Sequence, residues 1–81
     1  MLFRSKTLKK HDIYENTIIF YLSDNGGAGA MDADNTPLRG LKHDIYDGGI
    51  RVPFLMSWPA QIKGGQETQS PIISLDILPT I

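Results

Sequence analysis

Two short strings in this sequence combine residue types suited to chemistry. The first is Asp24-Asn25-Gly26-Gly27. Its carboxylate and side-chain carbonyl are hard oxygen donors suited to Ca²⁺ or Mg²⁺, and its glycines let the backbone turn tightly beside an ion. Calcium takes about six to eight oxygens, so two donors are an incomplete set. A capped turn is the commoner fate of such a string, and spacing alone favours that structural reading. The second string is Arg39-Gly40-Leu41-Lys42-His43. Lysine offers a compact point charge to an anionic oxygen, and histidine can move protons near neutral pH. By type alone, Arg39, Lys42 and Arg51 are more often solvated surface charges than ligands, and His43 is more often structural than catalytic. Asp47-Gly48-Gly49 marks a turn that needs positive φ. Taken without further context, these residues describe a loop able to hold a hard cation and an anion, without a complete catalytic set.

The elements that must position this loop follow from the pattern around it. Residues 1–16 read as a helix tail and a connection, with Leu2, Phe3 and Leu8 spaced for one helical face. Thr17-Ile18-Ile19-Phe20-Tyr21-Leu22 is a continuous β-branched and aromatic run, apolar on both faces, which predicts a buried strand over 17–22. Runs of this kind are typical of parallel sheets covered by helices, so the expected fold class is α/β with a mostly parallel central sheet. Ligands in open α/β sheets gather at the carboxyl ends of strands, which is where Asp24-Asn25 falls. Residues 23–50 hold six glycines and the aspartates Asp24, Asp32, Asp34, Asp44 and Asp47, a loop composition whose length points to function. Residues 51–58 read as a second strand with Pro53 near its start and Pro59 at its end. The segment 74–81 reads as the start of a helix, capped by Ser74.

Composition limits the partners. The chain has 81 residues, 41% of them hydrophobic and 21% charged, which is ordinary globular composition for one small domain or part of a larger one. A formal charge of -1 gives no general drive toward nucleic acid or anionic lipid, so no nucleic-acid partner is expected. The absence of cysteine removes disulfides, thiolate zinc sites and a cysteine nucleophile within these residues. The longest strongly apolar run, Ile18 to Leu22, is far short of the roughly 20 residues of a membrane-spanning helix. The basic start, with Arg4, Lys6, Lys9 and Lys10, is followed by no apolar stretch of the kind a secretory signal requires.

Read as an ordered series, Thr17 to Gly27, Pro37-Leu38-Arg39-Gly40-Leu41-Lys42 and Tyr46-Asp47-Gly48-Gly49-Ile50-Arg51-Val52-Pro53 resemble the sulfatase family. Trp58-Pro59-Ala60 and Ser74-Leu75-Asp76-Ile77-Leu78-Pro79-Thr80 extend the resemblance, which covers about residues 7 to 81. Several linked motifs at consistent spacing are far more specific than any one of them. The resemblance implies an alkaline-phosphatase-like α/β sandwich of which this is the mid-to-late catalytic part. It also implies hydrolysis of sulfate esters, on small-molecule or carbohydrate substrates, at a calcium-bound formylglycine.

Carried over by position, Asp24 and Asn25 would be two oxygen ligands of the metal, calcium rather than magnesium. Lys42 would contact the sulfate oxygens. Arg39, Gly48, Gly49 and Arg51 match structural positions of the family, and His43, where the family often has glycine or another residue, takes no catalytic role. Asp47 replaces the more usual glutamate of an E-G-G string and is one methylene shorter. The C-x-P-x-R or S-x-P-x-R string that supplies formylglycine, and the early aspartates of the metal site, do not occur among these residues. The chain therefore reads as a fragment, with Met1 as an internal methionine, and is expected to be inactive alone. A periplasmic, secreted or lysosomal setting is implied by resemblance only. The alternatives are a phosphate or phosphonate ester hydrolase of the same superfamily and a non-catalytic remnant or interaction module.

Overall fold

The computed structural model describes residues 2–81; Met1 and the side chain of Leu2, which the sequence placed on the helix tail, lie outside the described residues. Seven short elements follow in order: helix α1 (Leu2–Lys10), strand β1 (Ile19–Leu22), a 3-10 turn (Gly29–Met31), the single helical turn α2 (Asp47–Ile50), strand β2 (Phe54–Ser57), a second 3-10 turn (Ser74–Asp76) and α3 (Ile77–Thr80). α1 has Lys9 and Lys10 in its last turn, where cations suit the helix dipole. It closes with a pair of backbone bonds, Ile13 N–H to Leu8 C=O at 3.1 Å and Asp12 N–H to Lys9 C=O at 3.1 Å. Asp12 takes the left-handed conformation (φ 56°) that such a helix end requires.

β1 and β2 form a two-stranded antiparallel sheet in the register Ile19↔Ser57, Phe20↔Met56, Tyr21↔Leu55 and Leu22↔Phe54. The expectation of a parallel arrangement is therefore corrected for this pair. An apolar run reports how much of a strand wants burial, whereas direction is set by how the intervening chain returns. Burial is also less than expected, since three β1 residues are half-buried and Tyr21 is exposed. One face, carrying Phe20, Leu22, Phe54 and Met56, is partly covered. The rings of Phe20 and Phe54 meet edge-on with centroids 6.2 Å apart, and Ile72, Ile73 and Ile77 close over them. An open groove of about 490 Å³ separates α1 from β1, with Phe3, Thr7, Leu8 and Ile18 on its walls. On the opposite face Tyr21 and Leu55 remain 52% and 54% exposed.

The C-terminal segment differs from the expected capped helix. Ser74 is the first residue of a 3-10 turn and caps nothing; the Asp76 carboxylate instead accepts the Ile73 N–H at 2.8 Å, reaching back across the turn. Trp58 C=O accepts the N–H groups of Gln61 and Ile62, at 3.0 and 2.8 Å, which folds the chain back after β2, and Ala60 N–H ties it to Glu15 C=O at 3.1 Å. No helix among the described residues is long and apolar enough to cross a membrane.

Candidate functional site

The segment between the strands is not the slack loop its composition describes. Its centre is a contact of backbone on backbone, and the residues fully buried there are glycines: Gly26, Gly48 and Gly49. Gly26 N–H donates to Gly49 C=O at 2.8 Å, Gly48 N–H to Arg39 C=O at 2.7 Å, and Gly49 N–H to Tyr46 C=O at 2.8 Å. A Cβ on Gly26 would lie 1.7 Å from the Gly48 oxygen, one on Gly48 2.1 Å from the Gly40 oxygen, and one on Gly49 2.2 Å from the Asp44 oxygen. Glycine is required at these positions by close approach, since neither Gly48 nor Gly49 has positive φ. The turn of positive φ expected at Asp47-Gly48-Gly49 is thus a helical turn instead. α2 holds two residues of poor helix propensity because their N–H groups find fixed acceptors outside and at its start.

Around this glycine contact the two chemistry-bearing strings come together. Lys42 N–H donates to Gly27 C=O at 2.9 Å, so the lysine backbone sits directly against the end of Asp24-Asn25-Gly26-Gly27. Asp24 is exposed at the carboxyl end of β1, and Asn25 beside it is half-buried. Asn25 Nδ2 donates to Gly26 C=O at 3.0 Å, a bond that fixes the amide plane without using Oδ1. Ser23 Oγ donates to Asn25 C=O at 2.8 Å and steadies the same residue from the other side. A carboxylate and an amide oxygen on adjacent residues fit a hard cation in kind, and supply only two of its roughly six to eight donors. Among the described residues no group of three or more His, Cys, Asp or Glu side chains gathers to complete a shell.

Lys42 and His43 occupy the two central positions of a turn closed by Asp44 N–H to Leu41 C=O at 2.9 Å. The Asp44 carboxylate accepts the Leu41 N–H at 2.8 Å and locks the turn. His43 has φ 81°, the conformation the third residue of a type II turn demands and that glycine meets without cost. The local duty of His43 is therefore conformational, and both it and Lys42 stand exposed to solvent. Arg39 lays its guanidinium over the Tyr46 ring, 3.8 Å from the centroid, and so braces the chain on either side of this turn. Arg51 and Asp47 form an i,i+4 pair at 3.8 Å with both side chains mostly exposed, which is worth little in water.

Asn35 was not singled out by the sequence, and its side chain makes more hydrogen bonds in the site than any side chain that was. Its Oδ1 accepts Gly27 N–H at 3.0 Å, while Nδ2 donates to Gly27 C=O at 3.2 Å and to Gly40 C=O at 3.0 Å. One side chain thereby joins the two strings. An asparagine in a loop ordinarily serves its own neighbours, and nothing in its local pattern distinguishes a partner eight residues upstream. Next to it the Asp34 carboxylate accepts bonds from the Thr36 hydroxyl and, at 2.8 Å, from the Thr36 N–H, which holds its pKa below the usual carboxylate value.

The sequence matches the Sulfatase family over residues 5–81. It is 35% identical to rat (Rattus norvegicus) steryl-sulfatase, with 93% of this chain and 14% of that protein aligned. It is 36% identical to an arylsulfatase of the sea urchin Hemicentrotus pulcherrimus (90% of this chain, 14% of that protein) and 32% identical to the N-acetylgalactosamine-6-O-sulfatase of Bacteroides thetaiotaomicron (93% and 17%). The chain thus spans about one-seventh of the length of these relatives. No solved structure matches it. With the motifs in one site and the match running over nearly every residue, this chain belongs to the sulfatase family.

Proposed function

We propose that these residues form the part of a sulfatase catalytic domain that brings two metal ligands and one sulfate-binding cation to a common centre, in the hydrolysis of sulfate esters. The observation that carries this reading is the Lys42 N–H bond to Gly27 C=O, which anchors the lysine two residues from Asn25. Asp24 and Asn25 would hold a calcium ion through their side-chain oxygens. Such an ion supplies positive charge beside the developing negative charge of the reacting ester. Lys42 performs the complementary duty from the protein side. Its ammonium would orient the sulfate oxygens where charge grows in the transition state, on a backbone held by the bond to Gly27 C=O. The glycine contact beneath holds the backbone on which the lysine stands, and less reorganisation of that backbone favours stabilisation of the transition state. The nucleophilic formylglycine and the other metal ligands would come from chain beyond these 81 residues, in keeping with the small share of each relative that they match.

The names of the relatives range over a sterol, an aryl and a carbohydrate sulfatase, so the shared segment serves the sulfate group rather than the alcohol it is attached to. The test is Lys42→Ala in the protein that carries this segment, assayed on an aryl sulfate beside the corresponding aryl phosphate. Loss of one such charge-stabilising donor is expected to lower turnover about 10²-fold or more. The parallel substitution Lys63→Ala, in the exposed turn after β2, is expected to leave turnover unchanged. Undiminished sulfate hydrolysis in Lys42→Ala would overturn the assigned role, and faster hydrolysis of the phosphate would reassign the substrate to phosphate esters.

A further inference from the structure

We infer that Asn35 is a positioning residue for the catalytic site: its side-chain amide holds Gly27 in register with Gly40 and so sets where Lys42 stands relative to Asp24 and Asn25. The inference rests on the roles proposed above for those three residues. Its own basis is geometric.

The Asn35 amide uses both of its hydrogens and accepts one bond at its oxygen. Oδ1 accepts the Gly27 N–H, and the two hydrogens of Nδ2 go to Gly27 C=O and Gly40 C=O. The orientation of the amide is forced, because turning it over would place Nδ2 against the Gly27 N–H and Oδ1 against two carbonyls. Gly27 C=O in turn receives Lys42 N–H as well as Asn35 Nδ2, at 2.9 and 3.2 Å. A single carbonyl two residues from Asn25 is therefore shared between the lysine backbone and the asparagine, filling both of its lone pairs. The other bond of Nδ2 reaches Gly40, two residues before Lys42, whose φ of 98° permits the turn there. Lys42 is thus held from both sides of Leu41.

Only an amide of this length meets these demands. Aspartate matches the shape and the single acceptor, but its carboxylate would face two carbonyl oxygens. Glutamine adds a methylene where Gly27 already packs tightly: a Cβ on Gly27 would lie 2.8 Å from Asn35 Oδ1. Asn35 is itself held in place, since its C=O accepts Leu38 N–H at 2.8 Å and the neighbouring Asp34-Thr36 bonds order the turn. The backbone bonds Lys42 to Gly27 and Gly26 to Gly49 do not depend on Asn35. Its removal is expected to loosen the register between the two strings while leaving them in contact.

The experiment compares Asn35→Ala and Asn35→Asp, each alone and combined with Lys42→Ala, in the protein that carries this segment. Each single substitution is expected to lower kcat for an aryl sulfate about 10- to 100-fold, the scale of an ångström-level misplacement, with KM changed less than about threefold. In the Lys42→Ala background the same substitutions are expected to cost less than about twofold, because the residue they misplace is gone. Full multiplication of the two losses would mean that Asn35 acts on the fold generally and would overturn the inference. So would kcat at the wild-type value in Asn35→Asp, the variant that keeps side-chain volume if Asn35→Ala does not fold.

Amide hydrogen exchange supplies a readout independent of turnover. Gly27 and Lys42 amides are expected to exchange about tenfold faster in Asn35→Ala, which removes the acceptor of Gly27 N–H, while the Arg51 amide, bound to Asp47 C=O at 2.7 Å, keeps its rate. Unchanged exchange at Gly27 and Lys42 would overturn the clamp itself. A wild-type protein that hydrolyses no sulfate ester would instead overturn the reading of Lys42, and the exchange comparison alone would then decide whether Asn35 joins the two strings.

Discussion

At the scale of single residues, the site is built by what is missing from the side chains. Gly26, Gly48 and Gly49 let three stretches of backbone approach to hydrogen-bonding distance, and a methyl group at any of them would overlap a carbonyl oxygen. Gly48→Ala is therefore expected to destabilise the protein that carries this segment by about 3 kcal/mol, the upper range for overpacking, because the obstructing atoms are backbone and cannot rotate away. Chemical denaturation of that protein reads the loss, and a midpoint unchanged from wild type would refute the close approach. Gly64→Ala is the control, since a Cβ there meets nothing. These glycines were visible in the sequence as a group, but their duty was not. Glycine content signals a turn, a bulge or a close approach alike, and only the partner backbone selects among them. Asn35 illustrates the same limit from the other direction, for its type predicts a local turn while its bonds run to residues on two other stretches.

At the scale of elements, short pieces are held by their ends more than by their propensity. α1 has nine residues and would be marginal in isolation, and its last turn is closed by a motif whose left-handed position is filled by Asp12. Glycine takes that conformation freely, and an acidic side chain at a helix C-terminus opposes the dipole. Asp12→Gly is expected to stabilise the protein by about 0.5–1 kcal/mol, seen as a raised thermal midpoint; a lowered midpoint would show that the Asp12 side chain contributes something the backbone does not reveal. The strands teach a different lesson. Ile19–Leu22 lies inside the apolar run that marked it, and its partner Phe54–Ser57 lies inside 51–58, because β-branched and aromatic residues declare a strand locally. Their antiparallel pairing was not declared, since hydrophobic pattern is the same whichever way a neighbour runs.

At the scale of the whole molecule, the described residues contain no buried hydrophobic side chain. The surface of 7142 Å² compares with about 4,900 Å² for a compact chain of this mass, and the radius of gyration of 15.3 Å with about 12 Å. Hydrophobic burial is the main term that offsets conformational entropy, so residues 1–81 expressed alone are expected to show no cooperative, reversible thermal transition by circular dichroism. A sharp reversible transition would sink that expectation and favour an independent module. Exposure of Tyr21 and Leu55 on the open sheet face, and of Leu75 and Leu78 at the C-terminal end, makes aggregation the expected fate of the isolated chain. Family membership was legible from the residues, because Asp24-Asn25-Gly26-Gly27, Pro37 to Lys42 and Tyr46 to Pro53 are ordered strings at consistent spacing, with glycines fixed by close packing. The positions of the strands were legible for a related reason, as local side-chain pattern sets local conformation. The meeting of Gly27 with Lys42, the bridging by Asn35 and the direction of the sheet belonged to tertiary structure alone. Each depends on which carbonyl faces which N–H across a fold of the chain, and every residue carries the same backbone groups, so no residue type announces its partner.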